Sequence, residues 1–430
     1  MTVEIDSLDA EGRGVARKPD GKVLFVEGAL PGERARVAIV EHKRRHEFAR
    51  ALAIENASAE RRAPRCPHFG ICGGCVTQHA TLQAQLAAKQ DSLLQNLARI
   101  GKVTPERVNA PISGAEWAYR HRARLSVRRV PKKGGVLVGF RERRSTYVAE
   151  LGECAVLPEH VSALIVPLKA LVEKLSVRAR LPQIEVAVGD NATALVFRHL
   201  DPLTDDDRAH LAAFAEGHGI HVWLQPAGPQ SAHPFHPAES HLYYELPEFG
   251  VRLDFRPTDF TQVNHAVNRL LVARAIELLD PQPGERIADL FCGLGNFSLP
   301  MARRGAEVIG FEGAGELVER ARHNAAANGL VAQFQAMDLF APNLAPYGPF
   351  AKLLIDPPRQ GAIEVVKAIG ASFDERPPRR VVYVSCDQAT LARDAGVLVH
   401  TQGYALTAAG IVNMFPHTAH VESIALFERK

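Results

Sequence analysis

The sequence predicts an α/β protein of several domains, the last of which is a doubly wound, mostly parallel sheet. From about residue 256 onward, apolar strands alternate with helices, which is typical of parallel β-α-β units. Residues 1–60 instead contain short β-branched runs separated by Gly, Pro and Asp turns, which favours a small antiparallel barrel. A chain of 430 residues also exceeds what one hydrophobic core organises. We therefore expect domains at residues 1–60, 61–255 and 256–430.

The overall composition is that of a globular protein and says little about partners. Apolar residues make up 46% of the chain, and the formal net charge of +3 neither favours nor excludes a polyanion. The N-terminus lacks a basic stretch followed by an apolar one, and no long apolar run occurs. We expect a cytoplasmic monomer with no membrane association and no partner protein.

Positive charge is concentrated in two places. Lys43, Arg44, Arg45 and Arg50 give the N-terminal barrel a basic edge, which a solvated strand face and a nucleic-acid contact explain equally well. Residues 117–145 hold ten Lys or Arg against one Glu, arranged around a Lys-Lys-Gly-Gly turn. We interpret this second stretch as a hairpin with one cationic face that binds phosphates.

Four of the six cysteines are grouped in the first half of the chain. They are Cys66, Cys72, Cys75 and Cys154. Six cysteines are too few for a disulfide scaffold, and in a reducing compartment grouped thiolates suit either zinc or an iron-sulfur cluster. His68 is an alternative zinc ligand. After these cysteines, one amphipathic helix is predicted by leucines at positions 82, 86, 93, 94 and 97.

The segment ERIADLFCGLGNFSLP predicts the start of a cofactor pocket. A strand ends near Asp289, and Gly293 and Gly295 allow backbone to approach a ligand. The segment does not match the glycine fingerprint of dinucleotide-binding proteins, because Asn296 and Ser298 occupy its later positions. Hydride transfer is therefore disfavoured. Carboxylates then follow at successive strand ends: Glu312, placed to accept ribose hydroxyls, and Asp338, placed to meet an adenine edge. Together they favour an adenosine pocket without a triphosphate site.

Asp356 opens the segment IDPPRQGA at the end of a fourth strand. In methyltransferases that act on amino groups, the comparable tetrapeptide ends in an aromatic residue, whereas Arg359 occupies that position here. The target atom is therefore not expected to be an exocyclic amine.

Cys386 follows a strand and precedes a helix, whose N-terminal amides would favour the thiolate. Methylation at C5 of uracil gives such a thiolate a role, because C5 becomes nucleophilic only after a nucleophile adds at C6. A base must then remove the C5 proton so that the thiolate can leave. Glu422 is the leading candidate, since burial in its apolar segment would raise its pKa toward neutrality. His417 and His420 are alternatives.

Several motifs resemble those of the RNA uracil-C5 methyltransferases, and most closely the members that act on 23S rRNA. They are FTQVN (260–264), DLFCGLGNFSLP (289–300), the DPPR turn, SC followed by TLARD, and MFPHTAHVES. The resemblance spans nearly the whole chain. It implies a Rossmann-like methyltransferase domain at 256–430, an RNA-binding TRAM barrel at 1–60, and a central α+β domain with an iron-sulfur cluster.

The resemblance also implies site residues and ligands. Cys386 would be the nucleophile and Glu422 the base, and the four grouped cysteines, Cys66, Cys72, Cys75 and Cys154, would bind a [4Fe-4S] cluster. The pocket for S-adenosyl-L-methionine and the target base would be lined by Gln262, Phe291, Asn296, Glu312, Asp338 and Asp356. Of these, Gln262 and Asp356 are alternatively placed at the uracil edge. The implied substrate is a flipped uridine, the uracil-1939 site, in a single-stranded or loop region of 23S rRNA.

One departure from the family pattern and three rival functions remain at this point. Asp387-Gln388 replaces the usual Asn-Pro after the nucleophile, and the negative charge of Asp387 opposes acidification of the thiol. A tRNA uracil methyltransferase would lack the barrel and the cluster cysteines, and another rRNA enzyme of the family would lack the barrel. A non-catalytic iron-sulfur protein that binds RNA on a methyltransferase scaffold is the rival from a different class.

Overall fold

The computed structural model describes residues 1–9, 11–372 and 376–429. Within these ranges the chain forms a six-stranded N-terminal sheet, a six-stranded central sheet, a two-stranded hairpin and an eight-stranded C-terminal sheet. No helix in this part of the chain has the length and apolar character needed to cross a lipid bilayer.

The N-terminal sheet is a small barrel. Its strands are β1 (Thr2–Glu4), β2 (Ser7–Leu8), β3 (Gly14–Arg17), β4 (Val23–Glu27), β5 (Arg34–His42) and β6 (His46–Asn56). β1 pairs with β5 at one end of the sheet, and β2 pairs with β3 at the other end. Because only residues 5 and 6 separate β1 from β2, the two ends of the sheet lie next to each other. Alternate apolar side chains such as Leu24 and Val26 fill the interior. The prediction of a barrel is therefore confirmed.

One pairing in the barrel differs from the antiparallel prediction. β4 and β6 run parallel, with Val23 opposite His46. The reason is topological: β5 and β6 form a long antiparallel hairpin, and β6 rather than β5 lies beside β4.

The central sheet carries the basic hairpin. Its strands, in spatial order, are β13 (His233–His236), β12 (His221–Gln225), β11 (Thr193–Arg198), β10 (Gln183–Val188), β8 (Arg122–Val130) and β9 (Gly135–Gly139). Three helices accompany it: α2 (Glu159–Ala163), α3 (Ile165–Lys174) and α4 (Asp205–His218). β8 and β9 pair antiparallel across a turn at Gly134 and Gly135, both with positive φ, as the sequence predicts.

The C-terminal sheet is doubly wound and mostly parallel. In spatial order it contains β18 (Gln333–Ala336), β17 (Glu307–Glu312), β16 (Arg286–Leu290), β19 (Lys352–Ile355), β20 (Arg380–Ser385), β22 (Glu422–Arg429), β21 (Tyr404–Val412) and β7 (Arg107–Val108). The helices are α5 (His265–Leu279), α6 (Ser298–Arg303), α7 (Gly315–Ala327), α8 (Ile363–Ser372) and α9 (Gln388–His400). The strand order reverses at β16, and the carboxyl ends of β16 and β19 open a crevice there.

Parts of the chain N-terminal to residue 256 pack against this sheet. β7 pairs with β21, and helix α1 (Leu82–Asn96) lies beside α9 and β21. The hairpin of β14 (Leu242–Leu246) and β15 (Val251–Phe255) also packs on it, and Leu253 joins its core.

Helix α1 forms where the leucine spacing predicts it, but its buried face is only partly apolar. The side chains it buries are Gln85, Lys89 and Leu93, and Leu97 continues this row in a single π-helical turn that ends the helix. Gln85 and Lys89 point inward because they hydrogen-bond to the C-terminal domain.

Candidate active site

A cavity of about 520 Å³ lies at the carboxyl edge of the C-terminal sheet. Residues that follow β16, β17, β19 and β20 line it, together with the start of β22 and the segment before α5. All eight residues that the sequence assigns to cofactor binding and catalysis are among them: Gln262, Phe291, Asn296, Glu312, Asp338, Asp356, Cys386 and Glu422. The sheet thus brings together residues that are up to 160 positions apart in sequence, because parallel strands end at a common edge.

The loop after β16 is shaped for close approach of a ligand. Phe291 has a φ of 65°, which is uncommon outside glycine, and Gly293 and Gly295 also have positive φ. The Glu312 carboxylate accepts hydrogen bonds from the backbone N–H groups of Gly293 (3.2 Å) and Ala314 (3.0 Å). These bonds fix the carboxylate between the glycine loop and the start of α7, where it can accept ribose hydroxyls.

Asn296 is oriented by two side chains that the sequence analysis did not identify. The Tyr244 hydroxyl donates to Asn296 Oδ1 at 3.0 Å, and the amides of Asn268 and Asn296 exchange hydrogen bonds of 2.9 and 3.0 Å. Tyr244 lies on β14, far from the glycine loop in sequence, so no local pattern indicates this contact. The network holds Asn296 at the cavity wall.

Asp338, Phe340 and Phe260 form the more open part of the cavity. Asp338 accepts a hydrogen bond from the Phe340 N–H at 2.9 Å, and the Phe340 ring meets the edge of Phe291. Phe260 is 67% exposed although it lines the cavity. An exposed ring at a cavity mouth offers a stacking surface for a planar base. The sequence motif FTQVN contains Phe260, but the sequence analysis selected only Gln262 from it.

Strand register places Cys386 beside Glu422. β20 and β22 are antiparallel, and their pairing ends with Ser385 opposite Ser423. Cys386 follows this last pair on one side and Glu422 precedes it on the other, and both line the cavity. The thiol and the carboxyl therefore face the same space.

Electrostatics at Cys386 differ from the prediction that a helix N-terminus would favour the thiolate. Burial, together with the nearby carboxyls of Glu422 and Asp356, raises the pKa of Cys386 to about 11. The first amides of α9 do not serve the sulfur, because the Asp387 carboxylate caps the helix by accepting from Ala389 N–H (3.0 Å) and Thr390 N–H (2.9 Å). Arg359 acts in the opposite direction and lowers the pKa of the thiol.

Glu422 has the raised pKa that the sequence predicts. The residue is 4% exposed, and burial followed by the charge of Asp356 raises its pKa to about 8. Burial also raises the pKa of Asp356 to about 7. Two carboxyls and a thiol thus share one low-dielectric cavity, in which a positively charged ligand would relieve the mutual repulsion of their charged forms.

Neither alternative base lines the cavity. His417 is fully buried with its ring stacked on Trp117 at a centroid distance of 4.0 Å, and burial lowers its pKa to about 4. Its backbone carbonyl accepts from the N–H groups of Val76 and Thr77, so it joins the cysteine segment to the C-terminal domain. His420 is exposed next to Phe415. The structure therefore leaves Glu422 as the candidate base.

The four grouped cysteines line one small cavity between the segment 66–75 and Cys154. Burial raises the pKa of Cys75 to about 12 and that of Cys154 to about 11. His68 also lines this cavity and accepts a hydrogen bond from Gly152 N–H at 3.2 Å. Across the described ranges, no group of three or more His, Cys, Asp or Glu residues is arranged so that it could hold a metal ion.

A basic groove of about 640 Å³ lies between the barrel and the central sheet. Its arginines are Arg13, Arg124, Arg141, Arg143 and Arg144. The cysteine segment supplies part of the wall through Gly73 and Gly74, and Gly73 N–H donates to the Arg141 carbonyl at 2.8 Å. The groove therefore contains arginines of the basic stretch 117–145 and Arg13 of the barrel, whereas the barrel's basic edge at residues 43, 44, 45 and 50 does not line it.

Four arginines of strand β8 in the basic hairpin have different surroundings. Arg122 is half-buried near Glu185, and Arg129 lies 3.8 Å from Glu173 on α3. Arg124 lines the groove while Arg128 is exposed outside it.

Comparison with known proteins shows similarity along the entire chain. A family model described as tRNA (Uracil-5-)-methyltransferase matches residues 81–346 and 333–430, and a TRAM domain model matches residues 1–52. Proteins named 23S rRNA (uracil(1939)-C(5))-methyltransferase RlmD from Thiobacillus denitrificans and from an Azoarcus species are each 60% identical to this chain. The alignments cover 99% and 100% of this chain and 99% of each relative.

A solved structure shares the fold over the full length. It is the Pyrococcus abyssi tRNA (uracil-54, C5)-methyltransferase in complex with S-adenosyl-L-homocysteine, with a TM-score of 0.76 and 24% sequence identity. The match covers 99% of this chain and 100% of that chain. Because this match with a tRNA enzyme extends over the barrel, the expectation that a tRNA enzyme would lack the barrel is wrong.

Replacing Glu422 with Gln should raise the melting temperature at alkaline pH more than at acidic pH. The pKa of Glu422 is raised from 4.5 to about 8, so its stabilising contribution is complete below about pH 4.5 and is lost as the pH rises through 8. The Tm difference between variant and wild type should therefore grow by several degrees between about pH 5 and pH 9. Calorimetry or fluorescence melts across this range measure it.

The control is Glu428→Gln, which changes a carboxyl at the other end of the same strand, paired with Arg380. It should give a Tm difference that does not grow with pH. If the Tm difference between Glu422→Gln and wild type stays constant from about pH 5 to pH 9, the Glu422 carboxyl ionises as an exposed carboxyl does.

Proposed function

This chain belongs to the tRNA (uracil-5-)-methyltransferase family, and we propose that it methylates C5 of a uridine in 23S rRNA with S-adenosyl-L-methionine. The proposed target is the position equivalent to uracil 1939, since relatives that are 60% identical over their full length are named for that site. The observation that carries the proposal is that the thiol of Cys386 and the buried carboxyl of Glu422 line one cavity together with the carboxyls of Glu312, Asp338 and Asp356.

The cavity fits S-adenosyl-L-methionine in size and in charge. A volume of about 520 Å³ is within the usual range for small-molecule sites, and the lining carboxyls suit a cationic ligand. We assign the ribose hydroxyls to Glu312 and the adenine edge to Asp338, with Phe291 and Asn296 along the same wall. When bound, this cofactor supplies an electrophilic methyl group on a sulfonium sulfur.

The proposed role of Cys386 is addition to C6 of the flipped uracil. The thiol must first lose its proton, and its pKa of about 11 makes the neutral thiol the resting form. Positive charge in the cavity and Arg359 favour the thiolate, so ionisation is coupled to ligand binding. A bond between Sγ and C6 would move the electron pair of the C5–C6 double bond onto C5, where it would form the new bond to the methyl group as the methyl–sulfonium bond breaks and S-adenosyl-L-homocysteine leaves as a neutral thioether.

The proposed role of Glu422 is to remove the C5 proton after methylation. The electron pair of that C–H bond re-forms the C5–C6 double bond, and the bond between Sγ and C6 breaks. A pKa of about 8 suits proton abstraction near neutral pH, because a more acidic carboxylate would be a weaker base. Gln262 and Asp356 are placed to bond with the edge of the uracil.

The four grouped cysteines are proposed to hold a [4Fe-4S] cluster. Their shared cavity, their all-sulfur chemistry and the family resemblance support this. A cubane cluster binds each thiolate at a different iron atom, so it tolerates a wider spacing of sulfurs than a single zinc ion does. We propose that the cluster supports the wall of the basic groove.

The basic groove is the proposed site for the RNA strands next to the target uridine. Arginines that line a groove neutralise phosphates, and Phe140 in the same groove offers an aromatic surface. The target base would be flipped from a loop region into the catalytic cavity.

Cys386→Ala should abolish methyl transfer while binding of S-adenosyl-L-methionine is retained. Wild-type protein should form a covalent adduct with 5-fluorouridine RNA, because fluorine at C5 cannot leave as a proton, and the alanine variant should form none. Glu422→Gln should accumulate a methylated adduct instead of product. Denaturing gels with labelled cofactor and a 23S rRNA fragment measure both effects.

Glu428→Gln serves as the control for Glu422→Gln and should turn over normally. Full activity of Cys386→Ala would contradict the covalent mechanism. Transfer to tRNA but not to 23S rRNA, each taken from cells that lack the modification, would favour the tRNA activity.

Arg124→Glu combined with Arg141→Glu should weaken RNA binding and flatten its salt dependence. Each lost phosphate contact should lower the slope of log K against log salt by about 0.7 to 0.9. Filter binding at several salt concentrations measures the slope. Arg129→Glu is the control because this arginine pairs with Glu173 outside the groove. Equal effects of the two changes would mean that the groove is not the RNA site.

Protein purified without oxygen should contain about four iron and four acid-labile sulfide atoms per chain. Cys75→Ala should lose both, because the remaining thiols cannot complete the ligand set. Cys292→Ala, which removes a buried cysteine from a different core, is the control and should retain them. One zinc and no sulfide in the wild-type protein would overturn the cluster assignment.

A further inference from the structure

One face of helix α1 contacts both catalytic segments. The side chains of this face are Gln85, Lys89 and Ser92, spaced at i, i+4 and i+7, so they lie in a row along the helix. The row faces α9, which follows Cys386, and the segment 413–417, which precedes Glu422.

On the side of the nucleophile, the contact is made through Gln388. Its side chain is buried, donates to the Lys89 backbone carbonyl at 3.1 Å and accepts from the Ser92 hydroxyl at 2.8 Å. Gln388 is the first residue of α9 and stands two positions after Cys386. The two bonds therefore fix the start of this helix relative to α1.

On the side of the base, the contacts are made by Lys89 and Gln85. Lys89 Nζ donates to Asn413 Oδ1 at 2.8 Å and to the Phe415 carbonyl at 3.0 Å. Gln85 Oε1 accepts from the His417 N–H at 2.9 Å. These bonds hold the segment that connects β21 to β22 and so set the position of Glu422 at the start of β22.

The charge state of Lys89 shows how costly this arrangement is. Lys89 as a residue is 7% exposed, both acceptors of its ammonium group are neutral oxygens, and burial lowers its pKa to about 7. A methionine or leucine at this position would pack without such a desolvation penalty. We therefore expect the hydrogen bonds of Lys89 to have a function that offsets this desolvation penalty.

From these contacts we infer that α1 adds to the pairing of β20 with β22 in fixing the position of the base relative to the nucleophile, with Lys89 and Gln388 as positioning residues for the two chemical steps. The inference rests on the proposed function, in which Cys386 acts in addition and Glu422 in elimination. Lys89 positions the elimination base, and Gln388 positions the addition nucleophile. Displacing a reacting group by about 1 Å slows a step by up to about a hundredfold.

The two residues should therefore affect different steps. Lys89→Met retains the length of the side chain and removes its donors, so covalent addition to 5-fluorouridine RNA should proceed within about threefold of wild type. Release of methylated product from normal RNA should slow at least about tenfold, with accumulation of the adduct. Gln388→Met should show the reverse, with addition slowed at least about tenfold and little adduct during turnover.

Rapid-quench measurement of adduct and product on the full-length, cluster-loaded protein gives both rates. Gln95→Met, on the exposed face of the same helix, is the matched control and should leave both rates unchanged. Lys89→Gln and Ser92→Ala are milder variants if the first two do not fold, and they should show the same separation of steps with smaller effects. Binding of S-adenosyl-L-methionine and the melting curve test folding.

If both variants slow the two steps equally, or slow neither while folded, the inference is wrong and α1 is only a packing element. If the proposed function is wrong, the wild-type protein itself should form no adduct with 5-fluorouridine RNA. This result is distinguishable from a failure of the inference about α1. The control Gln95→Met would also exclude a general effect of altering this helix.

Discussion

The antiparallel pairing of β20 with β22 is the constraint on which the site depends. Ser385 lies opposite Ser423, and Cys386 and Glu422 are the residues next to this pair, so both reach the same cavity. A slip of one residue would turn one of the two side chains to the other face of the sheet, and a slip of two would move it along the strand. The register is held by buried apolar residues on both strands, such as Val382 and Leu426, which lie opposite each other in the core.

A second consequence of this geometry is an acidic cavity of low dielectric. Burial raises the pKa values of Asp356 and Glu422 to about 7 and 8, and their charges help to raise that of Cys386 to about 11. Without a bound ligand, these three groups therefore keep their protons to a higher pH than they would in water. Ligand charge can change this, since a cation among these groups favours all three ionised forms. The chemistry we propose uses that coupling.

The N-terminal half also contacts the C-terminal domain directly. Val76 and Thr77 bond to the His417 carbonyl, and the following helix α1 reaches the segments on either side of the catalytic pair. The basic groove, the cysteine cavity and the catalytic cavity are thus joined by one continuous stretch of chain, about residues 66–96. A substitution in this stretch is therefore expected to alter both the basic groove and the segments next to the catalytic cavity.

The sequence by itself predicted the barrel, the basic hairpin and the doubly wound sheet from alternation along strands and glycine turns. Local patterns also indicated Glu312, Asp338, Asp356, Cys386 and Glu422, whereas Gln262, Phe291 and Asn296 followed only from the family resemblance; all eight line one cavity. The sequence predicted the raised pKa of Glu422 correctly because the surrounding residues are apolar in sequence as well as in space.

Only the tertiary structure decided the rest. The network of Tyr244, Asn268 and Asn296, the raised pKa of Cys386 and the burial of Lys89 all depend on residues far apart in the chain. Leucine spacing indicated helix α1 but not that its inward face would carry polar groups, because hydrophobic periodicity assumes that a buried face is apolar. Long-range hydrogen bonds and desolvation have no local pattern, so they become visible only once the chain is folded.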